Sequence, residues 1–256
     1  MSEAANDIRT LEGRAALVTG ASSGLGRATA LALARAGADV AIIARGMEEL
    51  ERVGEEITEI GRRALTLPVN LASVDETAEA VRRTVEALGR LDVLVNAAGT
   101  DTPGTVEELD VAGWDRTLAV NLRAPFLLSK VAFPHMREAG SGMIVNISSV
   151  AGKKGWANAS AYCASKFGLT GFTEALADEG KEYGIRAIVL YPGAMATNWG
   201  TFTPEERQEG EPIKAPPPTR VLPPEQVADL IAWLAASPPE FVLTEGIVVP
   251  IEEGLP

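Results

Sequence analysis

Short apolar segments alternate with longer segments of helical periodicity along most of the chain. The apolar segments run continuously instead of alternating with polar residues, which is typical of strands that are covered on both faces. A strand, a helix and a further strand in succession form a right-handed βαβ unit. The pattern therefore predicts an α/β fold with a doubly wound parallel sheet and helices on both of its faces. The predicted strands lie at 15–20, 39–45, 63–70, 91–99, 142–149, 185–193 and 246–251.

One segment, 198–225, interrupts this alternation. It is rich in proline and charged residues, and it is longer than an ordinary connection between a strand and a helix. No repeat and no linker divides the chain. We therefore interpret the segment as a substrate lid inserted within a single domain of residues 1–256.

A glycine-rich loop, TGASSGLG, follows the first predicted strand and opens the helix after it. Glycines permit a tight turn and a close approach of the backbone to a pyrophosphate at the positive end of the helix. A plain glycine turn is the alternative. We favour dinucleotide binding because the loop has the strand before it and the helix after it that such binding requires. The candidate cofactor contacts in this loop are Gly20, Ser22, Ser23, Gly24, Leu25 and Gly26.

The second predicted strand ends at Ala44 and Arg45. A fold that selects NAD usually has an acidic residue at this position, where it binds the ribose 2′-hydroxyl. Alanine supplies no carboxylate, and the guanidinium group of Arg45 suits a 2′-phosphate. The sequence therefore predicts NADP(H) as the preferred cofactor, with NAD(H) as a possible substitute. The alternative interpretation is a solvated arginine at the start of a helix.

The next two predicted strands end in residues that could contact the same cofactor. Asn70 and Leu71 follow the third strand and are expected near the adenine. The small residues at 96–99 follow the fourth strand and leave room for a ribose. For either stretch alone, an ordinary turn between strand and helix is an equally good interpretation. The candidate contacts are Asn70, Leu71, Asn96, Ala97, Ala98 and Gly99.

Composition narrows the function classes. The 256-residue chain has 23 lysines and arginines against 35 aspartates and glutamates, and its net charge of −12 argues against a nucleic-acid partner. With one cysteine, Cys163, and one histidine, His135, neither an internal disulfide nor a Cys/His metal site is expected. The polar start of the chain and the lack of a long apolar run predict a cytoplasmic protein without a secretory leader or a membrane span.

The stretch YCASK places Tyr162 and Lys166 four residues apart. On a helix these side chains lie on the same face, so the ammonium group is expected beside the phenol oxygen. The pair is either an ordinary surface pair or a device that lowers the pKa of the phenol. The spacing alone does not decide between these alternatives.

Taken together, these segments resemble the short-chain dehydrogenase/reductase family over nearly the whole chain. The similar segments are TGASSGLG (19–26), NAAG (96–99), AVNLRAPF (119–126), NISSVAG (146–152), YCASK (162–166) and PGAMAT (192–197). Two positions depart from the usual residues of the family: Ala97, where asparagine is common, and Asn70, where aspartate is common. The order of the segments, more than any one of them, carries the resemblance.

The resemblance implies a Rossmann-type fold and hydride transfer between a nicotinamide cofactor and a carbonyl or secondary alcohol. It implies that Tyr162 is the general acid/base, with Lys166 lowering its pKa and binding the nicotinamide ribose. It further implies that Ser149 holds the reacting oxygen and that Asn121 binds a water molecule in a proton relay. The other implied cofactor contacts are Val120, Tyr162, Lys166, Pro192, Gly193, Met195 and Thr197.

The resemblance also bears on substrate and assembly. It implies a small ketone, aldehyde or secondary alcohol as substrate, with a 3-oxoacyl thioester among the options, and a homotetramer or homodimer built on the helices around 114–137 and 160–183. Three other functions stay open: a non-catalytic NADP-binding sensor or scaffold, an NAD-dependent alcohol or sugar dehydrogenase, and a sugar-nucleotide epimerase or dehydratase. The candidate substrate contacts, whose aromatic members could equally pack the lid against the body, are Ser149, Ala151, Trp156, Trp199 and Phe202.

Overall fold

Seven parallel strands form one sheet in the computed structural model, which describes residues 10–197 and 221–251. In chain order they are β1 (Ala15–Thr19), β2 (Asp39–Ala44), β3 (Ala64–Pro68), β4 (Val93–Asn96), β5 (Gly142–Ile147), β6 (Ile185–Pro192) and β7 (Glu245–Val248). Their order across the sheet is β3-β2-β1-β4-β5-β6-β7. The strand order reverses between β1 and β4, which pair directly, and ligands of such sheets bind at this reversal, beyond the carboxyl ends of the strands.

Helices connect the strands and cover both faces of the sheet. The α-helices are α1 (Gly24–Arg35), α2 (Met47–Glu59), α3 (Val74–Leu88), α4 (Val111–Leu118), α5 (Ala124–Ala139), α6 (Ser160–Gly180) and α7 (Pro224–Ala236). A π-helical turn, Ala119–Arg123, joins α4 to α5, and 3₁₀ turns occupy Val150–Gly152 and Lys181–Tyr183. The predicted doubly wound α/β fold is therefore confirmed.

Successive residues of the central strands point into two different cores. Ala16 and Val18 of β1 pack in the core that includes buried residues of α1, α2 and α7. Ala15 and Leu17 pack on the opposite face, in the core that includes buried residues of α3, α5 and α6. Because both faces are covered, every residue of β1 is buried, which explains why the strand is continuously apolar in the sequence.

The sequence interpretation did not identify α7 as a helix. Its first residues, Pro224 and Glu225, were assigned to the end of the 198–225 insertion, whereas in the structure they begin a helix that packs against α1. Proline is well suited to the first turn of a helix, where its missing N–H needs no partner. A β-bridge between Met195 and Leu222 lies just before this helix. Residues 198–220, including Trp199 and Phe202, lie outside the described residues.

Within the described ranges, no helix is both long enough and apolar enough to cross a membrane.

Candidate active site

The glycine loop between β1 and α1 lies against the loops that follow β4 and β6. Gly20 has φ of +68°, and a Cβ atom added there would lie 2.8 Å from the Cα of Ala98. Gly24 has φ of +52°, and a Cβ atom there would lie 3.2 Å from the side chain of Thr197. Larger residues would therefore be strained and would fill the cradle that these three loops form. The structure brings these predicted cofactor residues together.

The start of α1 has the donors that a pyrophosphate needs. Ser23 is the N-cap residue, yet its side chain makes no capping hydrogen bond. The Ser23 side chain therefore does not occupy the first backbone N–H groups of the helix. The Thr19 hydroxyl accepts hydrogen bonds from the N–H groups of Ala97 (3.1 Å) and Ala98 (3.0 Å), which fixes the loop after β4 beside this helix end. Positively polarised amides at a glycine cradle suit a dinucleotide phosphate, so these residues fit a nicotinamide cofactor.

The residues predicted to bind the adenosine half of the cofactor lie at the ends of β2 and β3. Arg45 is exposed immediately after β2. The amide oxygen of Asn70 accepts a hydrogen bond from the N–H of Ala72 (3.0 Å), so a contact of this oxygen with an adenine amine would be its second. The side chain of Leu71 is buried. An adenine contact by Asn70 or Leu71 stays a prediction.

The side chain of Asn96 is buried and links β4 to the neighbouring strand β5. Its side-chain amide donates to the oxygen of Asn146 on β5 (2.7 Å), and the amide of Asn146 donates to the Thr173 hydroxyl on α6 (2.9 Å). These side chains are fully or almost fully buried. The chain of hydrogen bonds therefore joins two central strands to the helix that carries Tyr162.

Ser149 and Tyr162 come together where β5 ends and α6 begins. Ser149 caps the 3₁₀ turn after β5, where its oxygen accepts the N–H of Ala151 (3.2 Å). Tyr162 lies in the first turn of α6, and its phenol is hydrogen-bonded to the Ser149 side chain. Both side chains are largely buried. A carbonyl oxygen at this point could therefore interact with two hydroxyl groups at once.

Lys166 lies one turn after Tyr162, on the same side of α6. Its ammonium nitrogen is 5.5 Å from the centroid of the Tyr162 ring and donates a hydrogen bond to the carbonyl oxygen of Ile147 (2.8 Å). The side chain is 4% exposed, and burial lowers its pKa to about 8. Both members of the pair are therefore buried. Their burial excludes the alternative of an ordinary surface pair.

The pKa of Tyr162 moves in the direction opposite to the sequence prediction. Burial raises the pKa above the usual value of 10.0, because the charged phenolate loses its hydration. The Ser149 hydrogen bond lowers it, while the charge of Asp101 raises it further. The ammonium of Lys166 donates to the carbonyl of Ile147 and does not lower the pKa of Tyr162. The prediction that Lys166 lowers this pKa is therefore wrong.

Asn121 lies in the π-helical turn between α4 and α5. Its oxygen accepts the N–H of Thr100 (2.8 Å), and its amide donates to the carbonyl of Thr100 (2.8 Å) and to the Ser165 hydroxyl (3.0 Å). These three bonds join the loop after β4 to the helix of Tyr162. The predicted water relay through Asn121 stays a prediction, and Val120, its half-buried neighbour, lies in the same turn.

The predicted substrate residues before α6 differ in exposure. Ala151 is fully buried and packs with Tyr162 and Cys163, whereas Trp156 is 46% exposed. Beyond β6, the N–H of Gly193 donates to the carbonyl of Val248 (2.9 Å), so the predicted cofactor segment at 192–197 is joined to β7. Cys163 is buried and belongs to the same small cluster as Ala151 and Tyr162.

The matching family model, described as short chain dehydrogenase, covers residues 14–208. The chain belongs to the short-chain dehydrogenase/reductase family. It is therefore an oxidoreductase, and the family binds nicotinamide cofactors and acts on small-molecule substrates.

Three proteins illustrate how far the similarity to this family extends. The cyclohexanol dehydrogenase of Acinetobacter sp. (strain SE19) is 37% identical over 237 residues, which are 92% of this chain and 93% of that protein. The cis-4-hydroxycyclohexanecarboxylate dehydrogenase of Sinomonas cyclohexanicum is 37% identical over 244 residues, 94% and 96% of the two chains. The crystal structure of a metagenomic short-chain oxidoreductase in complex with NADP has a TM-score of 0.81 and 35% identity, and covers 95% of this chain and 99% of that one.

Sequence reasoning missed several residues of this short-chain dehydrogenase/reductase site. Thr19, Thr100 and Asn146 fix the strand ends through buried hydrogen bonds, and their roles depend on contacts between distant segments. Asp101 lies two residues after the NAAG segment, and burial raises its pKa to about 6. An acidic residue so close to a predicted strand end was a signal that could have found it.

Across the ranges 10–197 and 221–251, no group of three or more histidine, cysteine, aspartate or glutamate side chains is arranged to hold a metal ion.

Proposed function

We propose that this protein is an NADP(H)-dependent oxidoreductase that interconverts a ketone or aldehyde and the corresponding alcohol. One observation carries the proposal: the buried phenol of Tyr162 is hydrogen-bonded to Ser149 and has the ammonium of Lys166 on the same side of the helix. This hydroxyl pair lies at the same edge of the sheet as the glycine cradle. Proton transfer and cofactor binding can therefore occur side by side.

The nicotinamide cofactor, when bound, supplies or accepts the hydride. In the direction of reduction, Tyr162 donates its proton to the carbonyl oxygen, and its raised pKa keeps that proton in place at neutral pH. Ser149 donates a hydrogen bond that holds the oxygen in line. The ammonium of Lys166, 5.5 Å from the centroid of the Tyr162 ring, would bind the nicotinamide ribose. Asn121 keeps the facing loop in register through its bonds to Thr100.

The preference for NADP(H) rests on the end of β2. Ala44 provides no carboxylate to bind a ribose 2′-hydroxyl, and Arg45 is exposed at the position where a 2′-phosphate would lie. A guanidinium group binds phosphate in a bidentate manner, which a neutral ribose cannot match. The complex of the similar metagenomic enzyme with NADP supports the same preference.

The relatives favour cyclic secondary alcohols as the first substrates to test. Two similar proteins are named as dehydrogenases of cyclohexanol and of a hydroxycyclohexanecarboxylate. We propose that this protein oxidises a secondary alcohol, or reduces a ketone, on a ring of about that size.

The experiment compares cyclohexanol and cyclohexanone turnover, with NADP(H) and then with NAD(H), in the wild type and in Tyr162→Phe. Loss of the phenol proton removes general acid catalysis, so kcat should fall about 10²–10⁴-fold while NADPH titration still gives binding. Tyr183→Phe is the matched control, because that tyrosine packs against Phe133 on the far side of the fold. Undiminished turnover in Tyr162→Phe would refute the mechanism. Cofactor binding without turnover of any carbonyl or alcohol would favour the sensor or scaffold.

A second pair of variants tests the cofactor preference. In Arg45→Ala, loss of a charge-assisted phosphate contact should raise the KM for NADPH roughly ten- to hundredfold and leave the KM for NADH unchanged. Arg35→Ala removes another exposed arginine, at the end of α1, and should change neither value. An equal response of NADPH and NADH to Arg45→Ala would contradict the preference.

The protein is also proposed to assemble with copies of itself through α4, α5 and α6. These helices present a shallow cavity lined partly by Leu118, Leu122, Phe126 and Phe172. Phe126 is 43% exposed and Phe167 is 47% exposed, and contact with a second copy would bury them. The predicted homotetramer or homodimer would use this face. The cytoplasmic location stays a prediction.

A further inference from the structure

The loop after β4 carries an acidic residue, Asp101, and is attached to the helix that carries Tyr162. On one side of Asp101, both backbone groups of Thr100 are hydrogen-bonded to the Asn121 amide (2.8 Å each). On the other side, the hydroxyl of Thr102 accepts a hydrogen bond from Arg116 on α4 (3.0 Å). Asp101 is therefore fixed between two anchored neighbours, and its backbone has little freedom to move away from the site.

The same loop is also joined to the segment that leads into α6. The N–H of Gly104 donates to the carbonyl of Asn158 (3.0 Å), and Gly104 forms a β-bridge with Ala159. Tyr162 follows three residues later. The loop after β4 is thus held against the first turns of α6, with Asp101 between its two attachment points, Thr100 and Gly104.

The carboxylate of Asp101 has capacity left for a ligand. One oxygen accepts the N–H of Thr102 (2.7 Å), and no lysine, arginine or histidine in the described part of the chain forms an ion pair with it. The side chain is half-buried, and its charge is one of the causes that raise the pKa of Tyr162. Its second oxygen can accept a further hydrogen bond.

We infer that Asp101 is a specificity-determining residue that selects for a hydroxyl group, and against a carboxylate, on the carbon next to the reacting carbon of the substrate. This inference rests on the proposed function. A carboxylate oxygen near the phenol is well placed to accept a hydrogen bond from such a hydroxyl, and a bond to a charged acceptor in a partly buried site is strong. A second anion at this position would be repelled by the carboxylate. The favoured substrates are vicinal diols and α-hydroxy ketones.

Three alcohols of matched shape test the inference: cyclohexanol, cyclohexane-1,2-diol in both isomers, and 2-hydroxycyclohexanecarboxylate, each oxidised with NADP⁺. The wild type should have a kcat/KM for one diol isomer that is roughly tenfold or more above that for cyclohexanol, with the hydroxy acid the poorest substrate. In Asp101→Asn, the preference for the diol should fall roughly tenfold and the hydroxy acid should gain a similar factor. Glu107→Gln removes an exposed carboxylate from the same loop and should leave the three values unchanged.

A wild-type measurement decides the matter if Asp101→Asn fails to fold. Burial raises the pKa of Asp101 to about 6, so the diol preference should decline as the pH falls from 8 to 5 and the carboxylate gains a proton. The titratable groups in the first two turns of α6 are Tyr162, Cys163 and Lys166, and Arg116 of α4 bonds to the neighbouring Thr102. The pKa values of Tyr162 and Lys166 lie above most of that interval.

The outcomes separate this inference from the proposed function. Oxidation of cyclohexanol with no diol preference, or with a preference that Asp101→Asn and low pH leave unchanged, overturns the role of Asp101 and leaves the proposed function intact. Failure to oxidise any of the alcohols overturns both. A diol preference that disappears in Asp101→Asn but persists in Glu107→Gln supports the inference.

Discussion

Replacing Lys166 with methionine should make the protein more stable and inactive at the same time. The ammonium group is buried, with 4% of the side chain exposed, and burial lowers its pKa from 10.5 to about 8. The gap between these values corresponds to a cost of about 3 kcal/mol for carrying the buried charge at pH 7. Methionine has a similar length and carries no charge, so this cost disappears.

Part of that gain is offset by a lost hydrogen bond. The Lys166 ammonium donates to the carbonyl of Ile147 (2.8 Å), and leaving that buried oxygen unpaired costs about 1–2 kcal/mol. The free energy of unfolding of Lys166→Met should therefore rise by about 1–2 kcal/mol at pH 7, which raises Tm by about 2–8 °C in a chain of this size. Turnover should be lost, because the ammonium that is proposed to bind the nicotinamide ribose is removed.

The pH dependence has a definite sign. A lysine whose pKa is lower in the folded than in the unfolded chain binds fewer protons when folded, so its cost is full below pH 8 and vanishes as the pH rises to about 10.5. The wild type should thus gain stability relative to Lys166→Met across that interval. Chemical denaturation at a series of pH values measures the free energy of unfolding of the wild type and of Lys166→Met. Lys154→Met is the control for an exposed lysine. A variant less stable than the wild type at pH 7, or a difference independent of pH, would refute the reasoning.

Three other variants probe the scaffold around the site. Asn121→Ala leaves both backbone groups of Thr100 without their side-chain partner, so denaturation should report a free energy of unfolding lower by about 2–4 kcal/mol; a loss below about 0.5 kcal/mol would contradict this role. Gly26→Ala would drive a Cβ atom into the backbone of the glycine loop, so NADPH affinity should fall at least about tenfold in a fluorescence titration. Gly155→Ala, where the added atom meets open space, should bind normally, and equal affinities would argue against the cradle. Phe126→Glu should reduce the molar mass measured by light scattering, whereas an unchanged mass would exclude this face from assembly.

The sequence predicted the sheet well because burial on both faces leaves a simple signal. All seven apolar segments became strands, and the residues of the central strands pack in the two cores on either side, whereas β7 at the edge of the sheet is partly exposed. The helix α7 was missed because it begins at Pro224, directly after a proline-rich stretch that suggested continued irregular structure. Proline marks the start of a helix as readily as it marks a loop.

Within the site, the identities of the chemical groups were predictable but their environments were not. The four-residue spacing correctly placed Lys166 on the same side of the helix as Tyr162. The burial of both groups, and the carbonyl of Ile147 that takes the ammonium, arise from packing between distant segments. No local pattern reports the dielectric environment of a side chain, so the direction of the Tyr162 pKa could not be deduced from spacing.

The bridge between Met195 and Leu222 has a consequence for how such proteins can diversify. Hydrogen bonds from Leu222 to Ala194 (2.9 Å) and from Ala196 to Leu222 (2.8 Å) hold the points at which the chain leaves β6 and approaches α7. Because these hydrogen bonds already join the two ends of the connection, doubling its length raises the free energy of loop closure by only about 0.6 kcal/mol. Segments from other proteins could therefore be grafted between Thr197 and Val221, with the sheet and its hydroxyl pair left undisturbed.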